Sequence, residues 1–197
     1  MEKDVETQIT CDSCGLEFSV FGVFASCPDC QKLNAFSVLR SSLEVCRKRL
    51  LLAEHKDTAS DSELKDAIIQ DSLSSAIAAF DALGKKLREL RPDIFPESPR
   101  NLFQNYHALN KCLTTRTGRG IEDRIGQQAA ADLLRLLQVR HLFEHNLGVV
   151  DQDFIKNVPT HSHLLGRKYP LNHQDVERLI ELLITLTESI NSELYSQ

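Results

Sequence analysis

The chain has no long apolar run, and basic residues are scarce at its start; these two features argue against several classes of protein. No stretch approaches the roughly 18 consecutive apolar residues of a membrane-spanning helix. Residues 1 to 4 are acidic rather than basic, unlike the start of a secretory signal. We therefore expect a cytoplasmic protein with no membrane partner.

Positive charge is also in short supply. The net charge of -5 at neutral pH argues against nonspecific nucleic-acid binding over the whole surface, because such binding needs clustered Lys and Arg. The net charge does not exclude a local cluster of basic residues that binds nucleic acid. Internal repeats and low-complexity tracts are missing too, so a length of 197 residues indicates one main domain with a small appendage.

Four of the six cysteines form two C-x2-C pairs separated by twelve residues. These four are Cys11, Cys14, Cys27 and Cys30. Thiolates two residues apart on a tight turn can reach one ion at about 2.3 Å, so two such pairs can supply a closed tetrahedral zinc site. Four thiolates leave no open position for catalysis, which predicts a structural zinc. A pair of disulfides or a redox thiol pair is the alternative.

The chain divides after the cysteines. Residues 1–36 are predicted to form a zinc ribbon. Residues 37–197 carry apolar residues at helical spacing, and four or five helices with short connections predict an antiparallel bundle. The expected fold is therefore mainly α, with a small zinc ribbon at the N-terminus. Ser60 with Glu63 is expected to start the second helix, and Ser98 with Pro99 the third.

The predicted core lies on one face of each helix. In the first helix it comprises Leu39, Leu43, Cys46, Leu50 and Ala53. In the second it comprises Leu64, Ile68, Leu73, Ile77, Phe80, Leu83, Leu87 and Leu90. In the last, which Asn172 and Asp175 are expected to begin, it comprises Val176, Leu179, Ile180, Leu183 and Ile190.

The most basic short segment surrounds residues 117 to 120. Its cations are Lys111, Arg116, Arg119 and Arg124. Clustered cations predict a contact with RNA or phosphate. Glu122 and Asp123 dilute the charge, so an ordinary solvated loop remains the alternative.

A helix predicted over about residues 128 to 146 ends in an unusual group of side chains. Its apolar stripe comprises Leu133, Leu136, Leu137, Val139, Phe143 and Leu147, with Arg140 near the middle. Glu144 lies four residues beyond Arg140, within reach of an ion pair. His141 and His145 stack at the same spacing on the adjacent face. An intrahelical Arg140–Glu144 pair with a helix-end histidine is the purely structural interpretation.

Residues 141 to 145 read H-L-F-E-H, which matches the H-x-x-E-H pattern of one class of zinc proteases. In that pattern two histidines bind zinc, and Glu144 would activate water. The pattern needs a continuing helix and a third ligand from a following helix. Asn146, Leu147 and Gly148 instead signal the end of this helix, which disfavours the protease.

The same helix contains an R-x4-6-H motif, formed by Arg140, four intervening residues and His145. In this motif the chain resembles the HEPN superfamily, a group of small helical bundles that includes many ribonucleases. The resemblance extends to Phe103-Gln104-Asn105 after a proline-rich connection, and to a glycine before the motif helix. It also includes the H-N-x-G-x-x-D string over residues 145–151. It covers about residues 60 to 195 and leaves the ribbon outside.

The resemblance implies a metal-independent endoribonuclease. His145 would transfer protons, because imidazole titrates near neutral pH. Arg140 would grip phosphate oxygens through its guanidinium. His141, at the position where the family often has a polar residue, would orient the phosphate or support His145. Glu144 and Asn146 would have supporting roles, and no cofactor besides the ribbon zinc would be needed.

The same resemblance implies a homodimer that cleaves RNA in a toxin or phage-defence system, with an antitoxin or defence protein as a further partner. Five residues place Arg140 and His145 about 140° apart around a helix, so one helix does not easily close the site alone. Similar proteins bring the motif helices of two chains face to face. Other HEPN-like domains are inactive antitoxins, sensors or assembly subunits, and this non-catalytic class is the competing interpretation.

Overall fold

The structure, a computed structural model, describes residues 6–11, 13–21, 25–30, 32, 34–54 and 62–195. Two strands come first: β1, Glu6–Thr10, and β2, Glu17–Phe21. The helices are α1 Ala35–Glu54, α2 Ser62–Leu90, α3 Tyr106–Thr117, α4 Ile121–Ile125, α5 Gln127–His145, α6 Gln152–Asn157 and α7 His173–Tyr195. Short 3-10 segments span Leu102–Gln104 and Pro159–Leu164. The predicted mainly helical chain with a small N-terminal cysteine-bearing unit is confirmed.

The N-terminal unit is a two-stranded antiparallel sheet followed by a link into the bundle. Thr10 pairs with Glu17, next to the first cysteine pair. Asn34 is buried and joins the unit to α1: its Oδ1 accepts a hydrogen bond from the Ala25 N–H at 2.8 Å, and its carbonyl accepts one from the Val38 N–H. Helix α1 therefore begins at Ala35, two residues before the predicted boundary.

Helices α1 and α2 pack against each other through the predicted faces. All five predicted core residues of α1 are buried, and so is the middle of α2. The prediction was wrong at the ends of α2, where Leu64 and Leu90 are 44% and 42% exposed, and Ile69 rather than Ile68 is buried. Helix α1, with 20 residues, is too short to cover both ends of the 29-residue helix α2, so Leu64 and Leu90 stay partly exposed. Ser60 of the predicted cap lies outside the described residues.

The predicted start of the third helix at Ser98 and Pro99 was wrong. The chain makes turns up to the 3-10 segment Leu102–Gln104, and α3 begins only at Tyr106. The side chain of Asn105 caps it by accepting a hydrogen bond from a backbone N–H of the first turn at 3.1 Å. Tertiary packing of the 3-10 segment overrides the local capping signal.

That packing depends on Gly84 in the middle of α2. The ring of Phe103 lies directly over it, since a Cβ at Gly84 would come within 2.1 Å of the ring. Phe103 also contacts Phe80 and Phe95, with ring centroids 5.1 and 5.4 Å away. The 3-10 segment is thereby fixed on α2, and it presents Gln104 to the neighbouring helix α5.

Helix α7 holds α1 and α5 together. All five of its predicted core residues are buried, and Asn172 caps its first turn by accepting a hydrogen bond from the Asp175 N–H at 3.1 Å, as predicted. Ion pairs join it to both neighbours: Arg40–Glu188 and Arg47–Glu177 to α1, Arg135–Asp175 and Arg178–Asp132 to α5. Among the helices described, none combines the length and apolarity that a membrane span requires.

Candidate functional site

The four predicted zinc ligands lie together in the N-terminal unit. The sulfur atoms of Cys11, Cys14, Cys27 and Cys30 all lie within 4.8 Å of one another. Two of the sulfur pairs, Cys11–Cys30 and Cys14–Cys27, are 3.5 and 3.6 Å apart. A tetrahedron of thiolates bound at about 2.3 Å to one zinc ion has edges of about 3.8 Å, so the four residues fit such an ion. The cluster supports a metal site and leaves the identity of the metal as a proposal.

Backbone N–H groups and neighbouring thiols shift the pKa values of two of the cysteines. The N–H groups of Cys14 and Ser13 point at the Cys11 sulfur and lower the pKa of that thiol to about 6. The N–H of Leu16 acts in the same direction on Cys14, but desolvation and the neighbouring thiols outweigh it and raise its pKa to about 12. Such crowded thiols do not all ionise on their own, and a bound cation removes the repulsion between the thiolates.

Arg140, on the last turns of α5, is held at both ends of its guanidinium. Its Nη2 lies 2.5 Å from Oε1 of Glu144, so the expected ion pair forms. Its Nη1 donates a hydrogen bond to Oε1 of Gln104 at 3.0 Å. The Nε is buried and makes no hydrogen bond among the described residues. The side chain keeps 20% of its surface exposed, so it lies at the edge of the bundle rather than in the core.

His145 reaches the same carboxylate from the other side. Its Nε2 lies 3.8 Å from Oε2 of Glu144, and its side chain is 62% exposed. His141 is exposed beside it, with the two imidazole centroids 4.5 Å apart. Although residues 140 and 145 diverge around the helix, one chain therefore brings both Arg140 and His145 to the two oxygens of Glu144.

The helix ends in a tight turn directly after His145. The carbonyl of Leu142 accepts hydrogen bonds from the N–H of Asn146 at 2.8 Å and from the N–H of Gly148 at 3.0 Å, so the last turn of the helix closes on itself. Leu147 takes the left-handed position of this turn with φ 51° and is 85% exposed. The predicted place of Leu147 on the apolar stripe was therefore wrong, because the helix stops two residues before it.

Asn146 and Gly148 shape the turn rather than the exposed site. The side-chain amide of Asn146 donates to the Val149 carbonyl at 2.6 Å. Gly148 has φ 80°, and a Cβ there would lie 2.6 Å from the ring of Phe143. The structure thus assigns Asn146 a positioning contact, and the close approach to Phe143 explains the glycine.

The segments after the turn flank the site. Val149 forms an isolated bridge with Lys168, and the Gly148 carbonyl accepts from the Tyr169 N–H. Asp153, on α6, forms an ion pair with Lys156; this ammonium and, more weakly, the nearby His141 lower its pKa. Helix α6 therefore places the carboxylate of Asp153, paired with Lys156, near His141.

The basic segment is not one surface. Lys111, Arg116 and Arg119 are exposed, but the side chain of Arg124 is fully buried. Arg124 forms an ion pair with Glu193 and donates a hydrogen bond to Thr117. The structure therefore removes Arg124 from the predicted RNA-binding set and leaves the other three as surface cations.

The zinc-protease interpretation lacks a ligand set. Across the described ranges, no group of three or more His, Cys, Asp or Glu side chains other than the four cysteines lies close enough to hold an ion. Histidines 161 and 163 stack instead with each other, and His161 stacks with Tyr169. The Tyr169 hydroxyl in turn contacts Arg135, so this region is a packed cluster.

Gln104 is a residue of the site for which no role was predicted from its position in the sequence. Only the fold reveals its contact with Arg140, 36 residues away. Comparisons with protein-family models, with curated proteins and with solved structures gave no match.

Proposed function

We propose that the chain is a metal-independent endoribonuclease of the HEPN type that acts as a homodimer in the cytoplasm, as a toxin or phage-defence effector. The observation that carries the proposal is the shared contact at the end of α5. Arg140 and His145 approach the two oxygens of one carboxylate, at 2.5 and 3.8 Å. A phosphodiester likewise offers two oxygens, so the same pair of side chains suits a phosphate.

The chemistry needs only these side chains and the RNA. The 2'-hydroxyl of the substrate attacks the adjacent phosphorus, a base takes its proton, and the bond from phosphorus to the 5'-oxygen breaks as that oxygen receives a proton. His145 serves as the proton-transfer group. Arg140 stabilises the negative charge that develops on the phosphate oxygens. His141, beside His145, orients the phosphate, and the products are a 2',3'-cyclic phosphate and a 5'-hydroxyl.

The N-terminal unit has a separate role. The four cysteines hold one zinc ion in a closed site, which stabilises a ribbon too small to build its own core. Because all four positions on the metal are filled, the zinc takes no part in cleavage. The ribbon is then available to contact RNA or a partner such as an antitoxin or defence protein.

A homodimer suits the exposure of the helix end. His145 is 62% exposed and Leu147 is 85% exposed, so both are accessible to a second chain. Two motif helices that meet there would surround the RNA phosphate with two guanidiniums and two imidazoles. The exposed cations Lys111, Arg116 and Arg119 would contact more distant phosphates.

The test is cleavage of single-stranded RNA by purified protein in the presence of EDTA, with Arg140→Ala and His145→Ala compared at equal concentration. Each variant should lose at least about 100-fold in rate, as expected when charge stabilisation or proton transfer is removed. Lys156→Ala is the matched control, because it removes a cation whose ion pair is with Asp153 and not with Arg140, Glu144 or His145 among the described residues. Cleavage that survives both Arg140→Ala and His145→Ala would overturn the proposal.

A non-catalytic HEPN-like binding module is the second candidate, and the ion pair itself favours it. The charge of Arg140 is already compensated by Glu144, and its Nη1 by Gln104, as in a structural contact. Such a module would act as an antitoxin, sensor or assembly subunit. It would remain dimeric and folded in both variants, and wild-type protein would leave RNA intact.

A further inference from the structure

Glu144 occupies the space between the two groups of the proposed site. Its Oε1 contacts Arg140 Nη2 at 2.5 Å, and its Oε2 lies 3.8 Å from His145 Nε2. The carboxylate keeps 31% of its surface exposed, so solvent reaches it. It is a planar anion with two oxygens, each directed at one of the groups that would contact a phosphate.

A carboxylate in this position competes with substrate. Guanidinium binds carboxylate and phosphate by the same paired, charge-assisted hydrogen bonds. Nη2 is the end of the Arg140 guanidinium that Glu144 covers, and Nη1 is held by Gln104. The carboxylate of Glu144 therefore occupies the position between Arg140 and His145 where an RNA phosphate would bind.

Gln104 explains how Arg140 keeps its orientation when the carboxylate leaves. Its amide oxygen accepts from Nη1 at 3.0 Å and carries no charge, so it fixes the guanidinium without neutralising it. The segment that carries Gln104 is held against α2, because Phe103 packs over Gly84. Arg140 thus has one neutral partner on a packed segment and one charged partner with a partly exposed side chain.

We propose that Glu144 is an internal phosphate mimic, which occupies the Arg140–His145 site at rest and is displaced by an RNA phosphate. This inference rests on the proposed function. Displacement is feasible because a partly exposed pair within one helix changes an equilibrium only a few-fold. Glu144 therefore weakens RNA binding without blocking it, and Gln104 is a positioning residue for Arg140.

Binding of a 2'-O-methyl single-stranded RNA tests this, because such RNA cannot be cleaved by internal attack. Glu144→Gln keeps the shape of the side chain and removes its charge. We expect it to bind this RNA about 2- to 5-fold more tightly than the wild type in fluorescence anisotropy, the range of a single lost competing contact. On cleavable RNA the gain should appear in KM, with kcat changed less.

The control is Glu181→Gln, which makes the same change in net charge. Glu181 also pairs with an arginine of its own helix, Arg178, at 3.4 Å. Arg178 lies beside Asp132, more than two turns before Arg140 on α5. This variant should tighten RNA binding by less than about 2-fold, the long-range effect of one charge.

Three results separate the possibilities. The proposal is supported if Glu144→Gln increases the affinity for RNA more than Glu181→Gln does. This increase should also disappear when Arg140 is replaced by alanine in the same protein. It is overturned if the two glutamine variants bind equally, or if Glu144→Gln binds more weakly, which would make Glu144 a support for Arg140. If Arg140→Ala alone leaves binding and cleavage unchanged, the proposed function itself fails.

Gln104 gives an independent check. Gln104→Glu places a charged acceptor on Nη1 and should weaken RNA binding, because both ends of the guanidinium are then neutralised. Gln104→Leu should raise KM less than Gln104→Glu while lowering kcat, since Arg140 loses its orientation. Equal behaviour of the Leu and Glu variants would contradict the positioning role.

Discussion

The Oε1 atom of Glu144 lies 2.5 Å from Nη2 of Arg140, and the other oxygen of the same carboxylate lies 3.8 Å from Nε2 of His145. This contact makes the end of α5 one compact group of charges rather than two separate side chains. It also places an anion between the groups that, in our proposal, hold an RNA phosphate.

The turn after His145 should be more stable with glycine at position 147. Leu147 has φ 51°, a conformation in which a side chain costs about 1 kcal/mol, and its 85% exposure means that little packing is lost. Leu147→Gly should therefore raise the free energy of unfolding by about 0.5–1 kcal/mol in urea titrations.

The comparison variant is Gly148→Ala, one residue on. Its Cβ would lie 2.6 Å from the Phe143 ring at a φ of 80°, so this change should destabilise the fold by about 1–3 kcal/mol. If Leu147→Gly destabilises as much as Gly148→Ala, the turn geometry described above is wrong.

The cysteine cluster should hold about one zinc ion per chain. Replacing Cys11 and Cys14 together with serine should remove the metal, because serine is a poor zinc ligand at neutral pH. Elemental analysis of purified protein measures this. Cys112→Ser is the control: its thiol donates to the Ile94 carbonyl at 3.1 Å, far from the cluster in the sequence, and a hydroxyl can replace it. Metal content that is unchanged in the double variant would exclude the site.

Arg124 should matter for stability and not as an RNA contact. Its side chain is fully buried against Glu193 and Thr117, so Arg124→Ala leaves a partly buried carboxylate without its partner. We expect a loss of about 3 kcal/mol in the free energy of unfolding. Arg119→Ala, at an exposed position, should change it by no more than about 0.5 kcal/mol. Equal effects in chemical unfolding would show that Arg124 is not buried.

The cluster around His161 should make the fold less stable in mild acid. Burial and the nearby Arg135 lower the pKa of His161 below its ordinary value of 6.5. The unfolded chain then binds a proton that the folded chain rejects, so stability is full above about pH 6.5 and falls as the pH drops below it. His161→Phe keeps the stacking on Tyr169 and removes the proton.

The loss of stability between pH 7.5 and 5.5 should therefore be smaller in His161→Phe than in the wild type, as measured by urea unfolding at each pH. Identical losses in both proteins would mean that His161 takes up its proton as readily in the folded chain as in the unfolded one.

Sequence reasoning succeeded where the structure depends on local spacing. Residues three and four apart share a helix face, which is why the buried sides of α1 and α7 and the Arg140–Glu144 pair could be predicted. The cysteine cluster follows from spacing too, because two residues on a tight turn bring paired thiols together.

The failures share another physical origin. The start of α3 is set by Phe103 on Gly84, and the burial of Arg124 by Glu193 of α7. Both are contacts between residues far apart in the chain, and neither has a local signature. The contact of Gln104 with Arg140 has no local signature either, since it depends on how two helices pack. Only the folded chain shows that Arg140 has two partners.

The most direct measurement of the central claim is the chemistry of the RNA ends after cleavage in EDTA. Wild-type protein should leave a 2',3'-cyclic phosphate and a 5'-hydroxyl, and Arg140→Ala and His145→Ala, each a folded dimer by circular dichroism and light scattering, should leave the RNA intact. Ends with a 3'-hydroxyl and a 5'-phosphate, or cyclic-phosphate ends that persist in both variants, would contradict the assignment of the site to Arg140 and His145.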